Sequence, residues 1–171
     1  MSNLAYTDDY KERFELIDGK IIMMSPRPRI AHSRALGNIF REFSIYLKGK
    51  KCEAFADGVV VNIQGAPDLV VEVLSPSTAK NDKGIKKDIY EKFGVKEYWI
   101  VNTVDKSVEV YLNNNGRFYL DNVYAYFTDE EIAENDALAN DDKNKLTIYT
   151  DIKVSVCDNL VIKIKDIFEN I

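Results

Sequence analysis

Residues 67–101 read PDLVVEVLSPSTAKNDKGIKKDIYEKFGVKEYWIV, and this stretch decides the fold. An apolar run around Glu72 is followed by a polar, lysine-rich segment and then by a second apolar run, EYWIV, at 97–101. Strands that are apolar on both faces are typical of a sheet that is covered on both sides. A strand, a helix and a strand within about 35 residues make one βαβ unit. We therefore predict a parallel strand pair joined by a helix at 84–93, and we expect this unit to be the functional centre.

The chain before this unit contains a hairpin signal and a helical pattern. Asp18-Gly19 lies between the apolar residues of segment 13–24, which predicts two short antiparallel strands. Apolar residues recur at helical spacing over residues 29–48, and Gly49 ends the predicted helix. Further short strands are predicted at 52–55 and 59–63.

Beyond the unit the periodic pattern weakens. Residues 107–112 alternate between polar and apolar, which predicts a half-exposed strand. A turn predicted at 113–116 connects it to another strand at 118–120. The acidic segment 128–144 is interpreted as a loop or weak helix. The last part of the chain predicts edge strands at 146–149, 154–156 and 160–164 and a terminal turn at 166–168.

Composition indicates one globular domain spanning residues 1–171, and the strand–helix–strand order of residues 67–101 indicates an α/β fold. Apolar residues make up 46% of the chain and charged residues 30%, and no apolar run approaches the roughly 20 residues that cross a bilayer. The N-terminus is polar and lacks the apolar core of a signal peptide. We therefore expect a cytoplasmic protein with no membrane partner.

Charge and cysteine content restrict the function classes further. The net charge of −5 argues against a nonspecific nucleic-acid binder with a broad basic face. It does not exclude a nuclease, because a bound divalent cation reverses the local field where a phosphate must approach. Cys52 and Cys157 lie far apart, and His32 is the single histidine, so a zinc cage is close to excluded. Both cysteines are expected to be buried thiols.

Glu72 stands in the middle of the first apolar run. Side chains alternate along a strand, so Glu72 shares one face with Asp68, Val70 and Leu74. Buried carboxylates are seldom found unless they are paired or bound to a metal. From this feature alone, a metal cation and an ion pair with a lysine or arginine are equally supported.

The predicted helix carries an apolar stripe made of Ile85, Ile89 and Phe93. Lys86 lies beside this stripe, so it is the lysine best placed to reach from the helix back to the end of the sheet. Lys83 and Lys87 are expected to point toward solvent and to form a basic face. This spacing therefore selects Lys86 as the candidate functional lysine.

The strings GAPDLVVEVLSPSTAKNDKGIKKDIYEKFGVKEYWIV (65–101) and FELIDGKIIMMSPRPRIAHS (14–33) resemble the Uma2 family, also described as DUF820, of proposed endonucleases. The match is dense over 67–101 and extends weakly to the terminal DIF at 166–168. PDLVVEVLSPST followed in order by the GV and EYW elements is a specific combination. The resemblance implies the PD-(D/E)XK nuclease superfamily, with a restriction-endonuclease-like core and a metal site at the end of its mixed sheet.

This resemblance also implies metal-assisted hydrolysis of DNA phosphodiester bonds. In the superfamily, an aspartate on one strand and a glutamate on the next hold Mg²⁺ or Mn²⁺, and a lysine steadies the attacking water or the phosphate. Glu72 matches the metal-binding glutamate. The lysine expected two residues later is replaced by Leu74, and Lys86 of the following helix stands in the matching place. The implied partners are DNA and a second copy of the chain, since members that cut both strands often act as dimers.

The chain departs from the family pattern before the Glu72 strand. Uma2-like sequences carry an extra strand there with its own Pro-Asp, and residues 59–65 contain no such pair. Asp68 is no substitute, because at 3.3 Å per residue it lies about 13 Å from Glu72 along a straight strand. Two ligands of one Mg²⁺ each lie about 2 Å from the ion. Asp57 is the better positional candidate for the second metal ligand.

Three other polar residues, Glu15, His32 and Ser75, match family positions. Glu15 is interpreted either as an auxiliary carboxylate or as a partner in a hairpin ion pair. His32 is interpreted as an N-terminal helix residue bonded to a loop carbonyl. Ser75 and Ser77 are interpreted as cap or turn residues.

Two functions follow from these observations. The first is a Mg²⁺-dependent endonuclease in which Glu72 binds the metal and Lys86 contacts the water or phosphate. The second is a non-catalytic protein of the same fold that binds nucleic acid or a protein partner, which the missing Pro-Asp favours. A third interpretation is a purely structural homodimer module.

Overall fold

A four-stranded mixed sheet lies at the centre of the computed structural model, which describes residues 14–17, 20–23, 29–56, 65–76 and 78–171. The strands are β1 (Phe14–Ile17), β2 (Lys20–Met23), β3 (Leu69–Val73), β4 (Glu97–Asn102), β5 (Ser107–Asn114), β6 (Arg117–Ala125), β7 (Asp151–Lys153) and β8 (Val161–Lys163). The helices are α1 (Ile30–Leu47), α2 (Ala79–Asn81), α3 (Lys87–Lys92), α4 (Asp129–Ala137) and α5 (Ile164–Ile167), and a π-helical turn (Asp82–Lys86) joins α2 to α3.

The predicted βαβ unit is confirmed. Strands β3 and β4 pair in parallel, with Glu72 opposite Ile100, and the helical segment α2–π turn–α3 connects them. Strand β4 then pairs with β5, and β5 with β6, both antiparallel, so the sheet has the order β3-β4-β5-β6. This mixed sheet with helices agrees with the predicted fold class.

The hydrophobic core lies between the sheet and α1. Val73, on the face of β3 opposite Glu72, packs in one buried cluster with Ile39 and Phe43 of α1 and with Trp99 of β4. The rings of Phe43 and Trp99 lie 5.9 Å apart. Because side chains alternate along a strand, burying Val73 against α1 turns Glu72 toward the crossover segment on the other face.

The segments before the sheet agree with the sequence in part. The hairpin is confirmed by the antiparallel pairing of β1 and β2, and the helix predicted at 29–48 is α1. Gly49 follows α1 with φ +79°, a conformation that glycine adopts without a Cβ clash. The strand predicted at 52–55 is wrong, since these residues have no regular structure, and the strand predicted at 59–63 lies outside the described residues.

The two cysteines differ from the expected pair of buried thiols. Cys52 is exposed, so that expectation is wrong for it, whereas Cys157 is partly buried. Burial raises the pKa of the Cys157 thiol, with a smaller effect from the charge of Glu97.

The crossover helix begins earlier than predicted and is irregular. Helical residues begin at Ala79, before the helix predicted at 84–93, and a π-helical turn interrupts the helix before α3. Gly84 within that turn has φ −113° and ψ −106°, outside the helical region. The Tyr98 hydroxyl of β4 donates to the backbone carbonyl of Asp82 at 2.9 Å, so the sheet itself anchors the turn.

The C-terminal part shows where weak periodicity fails. Helix α4 has a capping box between Thr128 and Glu131, which fixes a helix in the segment interpreted as a loop or weak helix. Residues 146–149 have no regular structure, and the strand predicted at 154–156 lies instead at β7. Strands β7 and β8 have three residues each and pair with one another, so their position depends on the pairing partner rather than on their own pattern.

Candidate active site on the outer face of the sheet

Glu72 lies near the C-terminal end of β3, with its carboxylate between the sheet and the crossover segment. Its side chain is 20% exposed. The same oxygen, Oε1, is 3.3 Å from Lys86 Nζ and accepts a hydrogen bond from the Tyr90 hydroxyl at 3.0 Å. The glutamate selected from the sequence is therefore held by side chains from two consecutive turns of the crossover.

Lys86 ends the π-helical turn, and its side chain is only 7% exposed. Its ammonium contacts two carboxylates, Glu72 on β3 and Asp82 one turn earlier, where Nζ lies 3.0 Å from Oδ1. Gly84, between Asp82 and Lys86, has a non-helical backbone conformation and kinks the helix there, and such a kink changes which side chains face the sheet. The sequence-based preference for Lys86 agrees with this position, although α-helical spacing placed it at the edge of the buried stripe rather than inside.

Asp82 is the residue that sequence analysis missed. It is fully buried, and apart from the ion pair of Oδ1 with Lys86, neither carboxylate oxygen accepts a hydrogen bond within the part of the chain that the structure describes. The available signal was its spacing, because Asp82 and Lys86 are four residues apart on a helical segment. A buried carboxylate with a free acceptor is costly unless a cation compensates for it.

Two tyrosines border this charged cluster. Tyr98 is fully buried, with its ring 5.3 Å from that of Tyr90. Burial raises the pKa of Tyr98 far above its ordinary value, and the negative charges of Glu72 and Asp82 raise it further. Tyr98 therefore stays a neutral hydrogen-bond donor beside the two carboxylates.

The other lysines of the crossover lie partly against the sheet. Lys83 forms an ion pair with Glu109 of β5, and the Lys87 ammonium lies 3.8 Å from the centre of the Tyr111 ring. Lys83 is about half exposed, so the solvent-facing position expected for these two lysines holds only in part. Both cover β5 and are separate from the cluster around Glu72.

The remaining candidates occupy other places. Asp68 precedes β3 and forms an exposed ion pair with Lys96 at 2.7 Å, which agrees with its exclusion as a metal ligand. Ser75 forms a turn with Thr78, their hydroxyls 3.0 Å apart, as expected for a turn residue. His32 lies in the first turn of α1 and is half-buried. Asp57, Ser77 and the Glu15 side chain lie outside the described residues, so their roles stay predictions.

The carboxylates of the cluster are oxygen donors of the kind that divalent cations prefer. Within residues 29–56, 65–76 and 78–171, no three acidic, histidine or cysteine side chains are grouped as metal ligands. Mg²⁺ nevertheless prefers oxygen donors, and one or two carboxylates with waters and substrate phosphate are a frequent ligand set. Glu72 and Asp82 supply two such carboxylates, both in contact with the Lys86 ammonium, so the donor chemistry fits Mg²⁺ or Mn²⁺.

A second buried carboxylate, Glu97, has a different environment. Its Oε1 accepts from the Trp99 indole at 2.7 Å, and its Oε2 accepts from the backbone and hydroxyl of Ser155 at 2.8 and 2.6 Å. These donors satisfy the carboxylate without a cation. Through these hydrogen bonds Glu97 connects β4 to the C-terminal segment, so it is a structural residue.

The mixed sheet, with a glutamate near the end of a strand and a lysine on the crossover that follows, agrees with the restriction-endonuclease-like class of α/β folds that the resemblance implies. The sequence model of the Uma2 family, described as "Putative restriction endonuclease", matches residues 3–65 and 61–141. The chain belongs to the Uma2 family. The two matched segments meet at 61–65, within the stretch where the sequence departs from the family pattern.

A solved structure supports the same fold. The chain is similar to a putative nuclease belonging to DUF820 from Anabaena variabilis ATCC 29413, with a TM-score of 0.57 and 18% sequence identity, covering 91% of this chain and 89% of that chain. At this identity the likeness concerns the fold. No curated protein matches the sequence. Of the helices that the described residues form, none combines the length and apolar character needed to span a bilayer.

Proposed function

We propose that the protein is an endonuclease that hydrolyses DNA phosphodiester bonds with a divalent cation, Mg²⁺ or Mn²⁺, and that it works in the cytoplasm. The observation that carries the proposal is the contact between Lys86 and Glu72, 3.3 Å apart on a nuclease fold. Membership of a family described as "Putative restriction endonuclease" supports the reaction class.

Each side chain of the cluster has a role in this proposal. Glu72 is the carboxylate that holds the cation, and the Tyr90 hydroxyl orients it by donating to Oε1. Lys86 carries a buried positive charge next to Glu72, where it can contact the attacking water or a phosphate oxygen. The cation, when bound, stabilises negative charge on the phosphate and lowers the pKa of a bound water. Asp57 stays a proposed further ligand.

The second candidate is a protein of the same fold that binds nucleic acid or a protein partner without cleaving it. One observation favours this alternative: within the described parts of the chain, no group of three metal-ligating side chains is assembled. Binding of a fluorescent DNA duplex without any cleavage in Mn²⁺ would be its signature.

The proposed endonuclease activity is tested by nicking of supercoiled plasmid in Mg²⁺ or Mn²⁺, with EDTA as the metal-free condition. We expect wild type to nick only with metal. Glu72→Gln and Lys86→Ala should each lose activity by at least about a hundredfold, because each removes charge from the site of reaction.

Matched controls for these variants are Glu53→Gln and Lys80→Met, which change the same residue types at exposed positions. They should cleave like wild type. Full activity of Glu72→Gln, or no metal-dependent nicking by well-folded wild type, would reject the proposal.

A further inference from the structure

Lys86 is enclosed by negative charge. Its Nζ lies 3.0 Å from Asp82 Oδ1 and 3.3 Å from Glu72 Oε1, and the charges of these three groups sum to −1. All three side chains are four-fifths or more removed from solvent. The ammonium thus lies between two carboxylates that come from different elements, β3 and the π-helical turn.

Asp82 is the less satisfied of the two carboxylates. Its side chain is 1% exposed, and its Oδ2 has no hydrogen-bond partner among the residues that the structure describes. Moving a carboxylate out of water is unfavourable unless hydrogen bonds or a cation compensate for it. The π-helical turn holds Asp82 there because Tyr98 of β4 binds its backbone carbonyl.

From this geometry we infer that Asp82 is the second carboxylate of the cation site, and that the Lys86 ammonium lies in the position of the divalent cation when none is bound. The inference rests on the proposed function for the identity of the cation. Glu72 and Asp82 would hold the divalent cation, and the Lys86 ammonium would move out from between them, because two cations repel each other at such short range. The ammonium of Lys86 would then contact a phosphate oxygen.

A cation site with Asp82 compensates for the carboxylate that is missing from the family pattern. The missing Pro-Asp removes a carboxylate that precedes β3, and Asp82 supplies a carboxylate that follows it. Asp57 is the competing candidate, so the two aspartates must be compared directly.

Mn²⁺ binding to the full-length protein without DNA, measured by electron paramagnetic resonance and by calorimetry, tests the inference. We expect Asp82→Asn and Glu72→Gln each to weaken binding at least about tenfold, because each removes one carboxylate ligand. Asp88→Asn, at an exposed position of α3, should bind within about twofold of wild type and serves as the matched control.

Lys86→Met tests the second half of the inference. Without the competing ammonium, this variant should bind Mn²⁺ at least several times more tightly than wild type. Weaker binding by a folded Lys86→Met would overturn the placement of the ammonium.

If Lys86→Met does not fold, Asp82→Asn still tests the inference. This variant removes one of the two carboxylate charges around Lys86 and leaves the Glu72–Lys86 ion pair intact, so it should fold. Wild-type affinity in folded Asp82→Asn, or a loss confined to Asp57→Asn, would overturn the role of Asp82. No Mn²⁺ binding by wild type at millimolar concentration would overturn it as well. Mn²⁺ binding that depends on Asp82 in a protein that cleaves no DNA would support the site while rejecting the nuclease.

Discussion

The side chains of Asp82 and Lys86, one helical turn apart, form a buried ion pair of 3.0 Å in which Asp82 is 1% and Lys86 7% exposed. Both residues belong to a π-helical turn that Tyr98 of the sheet anchors through the Asp82 carbonyl. Buried ion pairs of this kind contribute little net stability, but removing one partner leaves an uncompensated charge. The pair is therefore a feature whose perturbation gives large, measurable effects.

Lys86→Met should destabilise the metal-free protein by about 3–5 kcal/mol, because it leaves the buried Asp82 and the partly buried Glu72 without their ammonium. Urea unfolding in EDTA measures this change in the free energy of unfolding. Lys80→Met, at an exposed position, should change it by less than about 0.5 kcal/mol. Equal stability of the two variants would contradict the buried cluster.

Tyr90→Phe should lower plasmid nicking while leaving the fold intact. The change removes the 3.0 Å hydrogen bond to Glu72 Oε1, which should cost about 1 kcal/mol of stability and leave the carboxylate less well oriented. Tyr46→Phe is the matched control, since its hydroxyl donates to the Asp158 carbonyl far from the site. A similar loss of stability in both variants, with reduced cleavage in Tyr90→Phe alone, is the expected outcome.

Glu97→Gln should destabilise the protein by about 2–3 kcal/mol without changing Mn²⁺ affinity. A glutamine side chain has one acceptor oxygen and one NH₂ group, whereas Glu97 accepts from Trp99 at one oxygen and from Ser155 at the other. At least one buried donor therefore loses its partner. Thermal unfolding and Mn²⁺ titration of the same sample measure the two quantities. A weakened Mn²⁺ site would show that Glu97 is more than a structural carboxylate.

Glu109 should make stability depend on pH in the acidic range. Burial acts to raise its pKa, but hydrogen bonds from Lys83 and Tyr111 outweigh this and hold the pKa below its ordinary value of 4.5. A lowered folded-state pKa contributes stability that is fully present above pH 4.5 and is lost as pH falls through the folded-state pKa. Wild type should therefore exceed Glu109→Gln in stability at pH 7, and the difference should shrink below pH 4.5.

Urea unfolding at a series of pH values measures this dependence. Glu134→Gln, at an exposed position of α4, is the matched control and should show no comparable trend. A stability difference between wild type and Glu109→Gln that stays constant down to acidic pH would contradict the role given to the Lys83–Glu109 pair.

The sequence alone predicted the central unit well because its signals are local and strong. Two continuous apolar runs of strand length at βαβ spacing can pair in parallel, and β3 and β4 do so. Period-two alternation then fixed the face on which Glu72 lies. Helical spacing singled out Lys86, although it could not predict that the residue is buried.

Other features depended on contacts between distant parts of the chain. The three-residue strands β7 and β8 have too little pattern of their own, so only their mutual pairing places them. In the sequence Glu97 is an ordinary strand residue, and only the fold places Ser155 where its hydroxyl donates to the Glu97 carboxylate. Long-range hydrogen bonds of this kind leave no period in the sequence.

The sequence by itself determined that Glu72 projects from a strand near the end of the sheet with Lys86 on the following helix. Only the tertiary structure decided that Asp82 and Tyr90 join them. The reason is physical: the hydrogen bond from Tyr98 and the packing of the crossover on the sheet hold a turn that is kinked at Gly84, and Asp82 and Lys86 of that turn are buried. A carboxylate without hydrogen-bonded oxygens is thereby enclosed beside Glu72, which spacing alone could not predict.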